Sequence, residues 1–208
     1  MKNYISNSED SIKMFKNDFL EKFSKVHFAV PLLIFIPAIL FFIYKAFAAG
    51  VNFVHFGLFF VIGLAVWTST EYIMHRFLFH HHPTTELGKR IHFIFHGVHH
   101  DYPRDRLRLV LPPSVSIPLA TGFYFLFASF LTPQLLFAFF PGFLLGYLIY
   151  DMLHYAMHHF NFKSGIMKKV KQHHMLHHYQ DPNKGFGVST SLWDIVLRSG
   201  FIKQPKKI

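Results

Sequence analysis

The sequence contains no cysteine. Disulfides and thiolate metal sites are thereby excluded. Acidic residues are scarce, with 11 Asp and Glu against 21 Lys and Arg, for a formal net charge of +10 with His neutral. Such an excess suits either nucleic acid or an anionic membrane surface. Here the basic residues alternate with very apolar segments, which favours the membrane and sets nucleic acid aside as a partner. No cleavable signal peptide is visible, because the first 27 residues are polar and carry five Lys. They read as a cytosolic N-terminal arm with room for a short amphipathic helix. No internal repeat is strong.

What is abundant is apolar surface and histidine. Hydrophobic residues make up 51% of the 208, and Phe alone occurs 28 times. Four apolar runs stand out, at about 28–49, 53–72, 114–131 and 135–149. A spanning helix needs roughly 20 apolar residues, so the first two are ample and the last two lie near the lower limit. Short breaks at 50–52 and at Thr132-Pro133 join them in pairs. The expected fold is an all-α integral membrane protein with four transmembrane helices in two hairpins. Four such runs leave too little polar face for a soluble bundle. Pro31, Pro37, Pro118 and Pro141 fall inside runs, which membrane helices tolerate. Of the Lys and Arg residues, only Lys45 lies near a hairpin turn. The positive-inside rule then places both termini and the segments after each hairpin in the cytoplasm.

Sixteen of the 17 histidines fall on that same side, the exception being His55. Fifteen of them, all but His27, form four clusters. His75 and His80 are followed by His81 and His82. His96, His99 and His100 follow His92. His154 and His158 precede His159. His174, His177 and His178 follow His173. On a helix, positions i, i+3 and i+4 share a face. Each HxxHH cluster is therefore expected to aim three imidazoles at one point, and His154 and His158 to aim two more. His75 and His80 are five apart, which would splay them by about 140° on a straight α-helix. A bend or helix end is expected between them. Neutral imidazole binds Fe, Zn, Cu and Ni. Ten ligands are too many for one ion and suit two. Unmetallated, so many buried rings would cost desolvation energy or repel one another when protonated. His27, His55, His159 and His173 read as ordinary polar residues. A His-rich protein that merely transports or stores metal would place its ligands near the bilayer midplane, whereas these spans carry almost no polar groups.

Metal-bound imidazoles usually pass their other N–H to a carboxylate or carbonyl. Glu71, four residues before His75, and Asp151, three before His154, sit where a helix would bring them to those rings. Acids at this depth are rare and generally functional. Asp101, Asp105 and Asp194 are weaker candidates for the same role. The competing reading is an interfacial ion pair with Arg76 or Arg108. Arg104, Arg106 and Arg108 are further candidates for contacting a lipid phosphate.

The string Glu71-Tyr-Ile-Met-His75-Arg-Phe-Leu-Phe-His80 resembles the first histidine box of the fatty acid hydroxylase/sterol desaturase superfamily. His92-Phe-Ile-Phe-His96-Gly-Val-His99-His100-Asp-Tyr-Pro103-Arg-Asp105-Arg-Leu-Arg108-Leu-Val-Leu-Pro112-Pro113 resembles the fatty acid 2-hydroxylases that act on sphingolipid acyl chains. Tyr150-Asp151-Met-Leu-His154-Tyr-Ala-Met-His158-His159, His174-Met-Leu-His177-His178-Tyr179 and Gly185-Phe-Gly-Val-Ser-Thr-Ser-Leu-Trp193-Asp194 complete the resemblance, which runs in order from about 66 to 197. It implies a hydroxylase domain over 28–208, a membrane anchor topped by a cytosolic helical cap, and a di-metal site. The implied ligands are His75, His80, His96, His99, His100, His154, His158, His174, His177 and His178. The implied metal is iron used with O2, with zinc an occupant of such sites in isolated protein. The implied reaction is hydroxylation of a lipid acyl chain at C2, in a groove lined by Phe residues of the third and fourth spans. Eukaryotic relatives often carry a fused cytochrome b5 domain for which 208 residues leave no room. A separate donor, cytochrome b5-like or ferredoxin-like, is then expected, and a bacterial inner membrane as the location. Alternatives are a sterol or carotenoid oxidase of the same superfamily, or a non-enzymatic metal-handling membrane protein.

Overall fold

The computed structural model describes residues 5, 6 and 8–201, and among them every regular element is helical. A short helix α1 (Asp18–Phe23) precedes two long apolar helices, α2 (Ala29–Ala48) and α3 (Phe53–Ile73). After them come α4 (Glu86–His92), α5 (Val98–Asp101), α6 (Pro113–Ala128), α7 (Pro133–His159), α8 (Gly165–Tyr179) and α9 (Leu192–Val196). Two segments, Met74–Phe79 and Phe93–Gly97, wind as π-helix.

Three helices are long and apolar enough to cross a membrane: Ala29–Ala48, Phe53–Phe79 and Pro133–His159. The first two begin and end close to the expected runs. The fourth run differs, because it does not stop at 149. It continues without a break into the third histidine cluster, so α7 carries His154 and His158 on the same rod that enters the apolar layer. The third run becomes α6, which at 16 residues measures about 24 Å. That is shorter than the roughly 30 Å hydrocarbon core.

Helix α7 is the axis of the molecule. Phe139, Phe140, Phe143, Leu144, Tyr147 and Leu148 are buried along it, whereas α2 and α3 expose Leu33, Leu40, Phe53, Val54 and Val61 outward. The α3–α7 approach is very close. A Cβ at Gly142 would fall 1.9 Å from the Phe60 carbonyl oxygen, and one at Gly63 would fall 2.1 Å from that of Phe139. Small residues at a helix crossing let backbones touch where lipid supplies no hydrophobic drive. This crossing sets the distance between the ends of α3 and α7, and those ends carry His75 and His154.

Candidate metal centre

All ten expected ligands come together, in two groups of five. His75, His80, His96, His100 and His177 have their ring nitrogens within 4.8 Å of one another, as do His99, His154, His158, His174 and His178. The second group is wholly buried, and the first leaves His80 and His100 partly accessible.

Local winding explains the sorting. Between His75 and His80 the helix does end, with Phe79 as its last residue and His80 as its cap. It winds as a π-helix, and the His80 N–H donates to the His75 carbonyl at 3.1 Å. An i→i+5 turn stacks two residues five apart on one side, so the expected splay does not arise. The HxxHH clusters also depart from expectation, because neither aims its three rings at one point. The i, i+4 pairs stay together, His96 with His100 and His174 with His178. The i+3 residue of each cluster, His99 or His177, joins the other group. Adjacent residues on a helix point about 100° apart, so a doubled His-His straddles two sites. His27, His55, His81, His82, His92, His159 and His173 lie outside both groups.

Within each group the Nε2 atoms converge. His75 lies 3.1 Å from His96 and 3.2 Å from His80, and His96 lies 3.0 Å from His100. In the other group, His154 lies 2.8 Å from His99, His99 lies 3.0 Å from His178, and His158 lies 2.9 Å from His174. Burial, and then the neighbouring imidazoles, hold His96, His99, His100, His174 and His178 well below the usual histidine range. Burial likewise lowers His177 to about 4. Neutral rings are the form that ligates metal.

The ring partners come from an unexpected source. The His75 Nδ1–H donates to the Phe186 carbonyl at 2.6 Å, and the His177 Nδ1–H to the Lys184 carbonyl at 2.7 Å. Both bonds turn Nε2 toward the group. The loop that supplies these carbonyls is held by two acids. Glu71 accepts from the Val188 N–H at 2.7 Å, the Ser189 N–H at 2.8 Å and the Ser189 hydroxyl. Asp194 accepts from the Phe186 N–H at 3.0 Å and the Gly187 N–H at 2.8 Å, and also binds His173 and Ser199. Four consecutive backbone N–H groups therefore end on two carboxylates. Gly185 has φ +71°, and a Cβ on Gly187 would meet the Thr190 carbonyl oxygen at 2.0 Å. The glycines of Gly185-Phe-Gly187 are what let the loop pass. This string was the one sequence signal for the two carbonyls.

Glu71 thus touches the loop and not the His75 ring. Asp151 is fully buried beside the Tyr147 hydroxyl and the Leu111 backbone N–H, without full hydrogen-bond geometry to either and without a bond to His154. Asp101 and Asp105 lie outside both groups. Asp105 pairs with Arg108 at 3.3 Å, and the Asp101 carbonyl accepts from the Ser6 N–H. The Arg108 side chain is 2% exposed and bonded to Glu21, Ser24, Ser11 and Ile12. It is not free for a lipid phosphate. Arg104 and Arg106 stay half-exposed beside Glu9.

An apolar cavity of about 330 Å³ reaches both groups, with His96, His99 and His154 in its wall. Phe79, Phe95, Leu109, Val110, Leu111 and Tyr150 also line it. The expected groove between Phe residues of the third and fourth spans is elsewhere. A hollow of about 340 Å³ among α2, α6 and α7 includes Phe125 and Phe140 but no histidine.

The fatty acid hydroxylase family profile matches residues 60–199. The chain belongs to this family. It is 36% identical to dihydroceramide fatty acyl 2-hydroxylase FAH1 of Arabidopsis thaliana, over 91% of this chain and 80% of that one. Identity to the ceramide very long chain fatty acid hydroxylase scs7 of Schizosaccharomyces pombe is 37%, over 90% of this chain and 54% of that protein. The solved structure of full-length scs7p, in which only the hydroxylase domain is visible, superimposes with a TM-score of 0.85 at 35% identity. It covers 92% of this chain and 73% of that one.

Proposed function

We propose that the chain is a membrane-embedded di-metal monooxygenase that hydroxylates a lipid acyl chain at C2. The observation that carries this reading is the meeting of two five-imidazole groups with one apolar cavity. The names of the relatives, dihydroceramide fatty acyl 2-hydroxylase and ceramide very long chain fatty acid hydroxylase, give the substrate class and the carbon attacked.

The ten histidines would hold two irons, one per group, with zinc able to replace iron in isolated protein. Iron when bound supplies O2 activation and an oxidising power that no side chain has, and the protein supplies position and a dry pocket. The carbonyls of Phe186 and Lys184 fix the tautomer and aim of His75 and His177. Glu71 and Asp194 act through the loop that carries those carbonyls. Asp151 is buried three residues before His154, beside the Tyr147 hydroxyl and the Leu111 backbone. The aliphatic and aromatic walls take up the acyl chain and keep bulk water from the reacting C–H bond. Residues 28–208 would form one hydroxylase domain with four spans. Pro113–Ala128 would be the short third span, and the histidines would face the cytoplasm of a bacterial inner membrane. Electrons would come from a separate cytochrome b5-like or ferredoxin-like donor.

Lipid analysis of cells expressing the chain tests this directly. Chains hydroxylated at C2 should appear with the wild type and vanish with His96→Ala. If no hydroxylated lipid appears, or if the variant leaves the lipid profile unchanged, the reading is wrong. Hydroxylation of a sterol or carotenoid instead would move the chain to another branch of the superfamily.

A further inference from the structure

The N-terminal arm is more than a tether. Residues Met14, Phe15, Phe19, Leu20 and Phe23 line the same cavity whose far wall holds His96, His99 and His154. Their placement depends on one carboxylate. Glu21 Oε2 accepts from the Met14 N–H at 2.9 Å and the Phe15 N–H at 3.0 Å, folding this stretch back over α1. Glu21 Oε1 accepts from Arg108 Nη2 at 2.7 Å and Lys25 Nζ at 3.0 Å. Arg108 itself lies in the cavity wall, just before the Leu109–Pro112 stretch that also lines it. The Val26 N–H closes the other end of the arm on the Leu107 carbonyl at 2.8 Å. The arm and the Leu107–Pro112 segment are therefore held as one wall by buried, charge-assisted hydrogen bonds, which are the stronger kind.

Phe19 and Phe23 line the cavity and yet are more than half exposed, as Phe95 nearly is. They mark the mouth, and Phe15, half-buried, lines the same wall. A mouth rimmed by exposed aromatic rings and leading to an apolar interior suits an occupant that arrives from lipid.

We infer that residues 14–23 form the acyl-chain wall of the substrate cavity, with Phe15 setting the chain length accepted and Glu21 acting as the positioning residue that holds it there. This rests on the reading of the cavity as the acyl site. A pocket side chain that gains or loses a few carbons shifts discrimination by roughly tenfold or more. Phe15→Trp should therefore move the C2-hydroxylated products toward shorter chains, and Phe15→Ala toward longer ones, by about tenfold in the long-to-short ratio.

Two measurements test the inference. The first is mass spectrometry of hydroxylated lipids from cells expressing each variant. The second is photolabelling of the purified full-length chain with a diazirine-bearing fatty acid, with and without excess unlabelled fatty acid, followed by peptide mapping. Competable labelling within 14–23, reduced in Glu21→Gln, is the expected result. An unchanged chain-length profile in both Phe15 variants overturns the inference, as does competable labelling confined to other segments. The photolabelling needs no turnover. Labelling at 14–23 in a chain that yields no hydroxylated lipid would preserve the wall and overturn the proposed reaction instead.

Discussion

Glu71 offers the sharpest test of how the site is supported. Its carboxylate is the acceptor for the Val188 N–H, the Ser189 N–H and the Ser189 hydroxyl. Glu71→Ala leaves these donors without a partner. Val188 is fully buried, so its N–H bears the whole desolvation cost, about 1–3 kcal/mol. Ser189 is half-buried and recovers part of its loss from water. A total of about 2–4 kcal/mol follows, a large share of the roughly 5–15 kcal/mol that keeps a domain folded. For a chain of this size that is a fall in Tm of about 5–15 °C. Glu71→Gln retains an amide oxygen that can accept both backbone N–H groups, and its loss should stay near 1 kcal/mol. The damage should also reach the metal, because the same loop places the Phe186 carbonyl on His75. Removing such an outer partner typically costs about 10–100-fold in metal affinity.

The assay is thermal unfolding of the detergent-purified protein together with elemental analysis of bound metal. Glu71→Ala should be destabilised and short of metal, with Glu71→Gln close to wild type in both. If Glu71→Ala unfolds within about 2 °C of wild type with full metal content, the loop does not depend on this carboxylate. If Glu71→Gln is as damaged as Glu71→Ala, the negative charge matters and the acceptor geometry does not.

Two further outcomes follow from the packing and the charges. Gly142→Ala puts a methyl 1.9 Å from the Phe60 carbonyl oxygen. Overpacking of roughly 1–3 kcal/mol or more should force α3 from α7, lowering Tm and bound metal together; wild-type values for both would mean the crossing is looser than described. Burial alone would raise the Glu21 carboxyl, but hydrogen bonds from Lys25, Phe15 and Met14, with the Arg108 charge, overcome it and hold the group at about 2 against an ordinary 4.5. A carboxyl lowered on folding stabilises above its unfolded value and loses that contribution as pH falls through its folded value. The Tm advantage of wild type over Glu21→Gln should therefore be constant above about pH 5 and shrink between about pH 4.5 and 2. An advantage that does not change with acidification would show that the ionised carboxylate does not hold the arm.

Much of this site was legible because its histidines obey helix arithmetic. His154 and His158 needed only an i, i+4 spacing on an apolar helix. What escaped was wherever the backbone left that arithmetic or the partner came from far away. The five-residue gap from His75 to His80 was expected to splay the two rings, because an α-helical period was assumed where the chain winds as π-helix up to its end at Phe79. The HxxHH clusters looked like two three-ring points because i+3 and i+4 were treated as one direction, although they lie on opposite sides of residue i. The partner of Glu71 was sought on its own helix, four residues on, and stands 117 residues away. The N-terminal arm, polar by composition, lines the cavity because Glu21 turns Met14 and Phe15 inward, and no spacing rule reports a backbone folded onto a single side chain.

The two histidine groups are also supported differently. In the first, His75 and His177 pass their Nδ1–H to backbone carbonyls of one loop. In the second, the Nδ1 atoms of His99, His154, His174 and His178 have no hydrogen-bond partner among the described residues, and the rings are held by burial and by their helices. Loss of the loop therefore reaches the first group while the second keeps what positions it. Gly185-Phe-Gly187 supplies no ligand to either group. It belongs to the site because two carboxylates, on α3 and α9, hold by four successive N–H groups the loop whose carbonyls reach both rings.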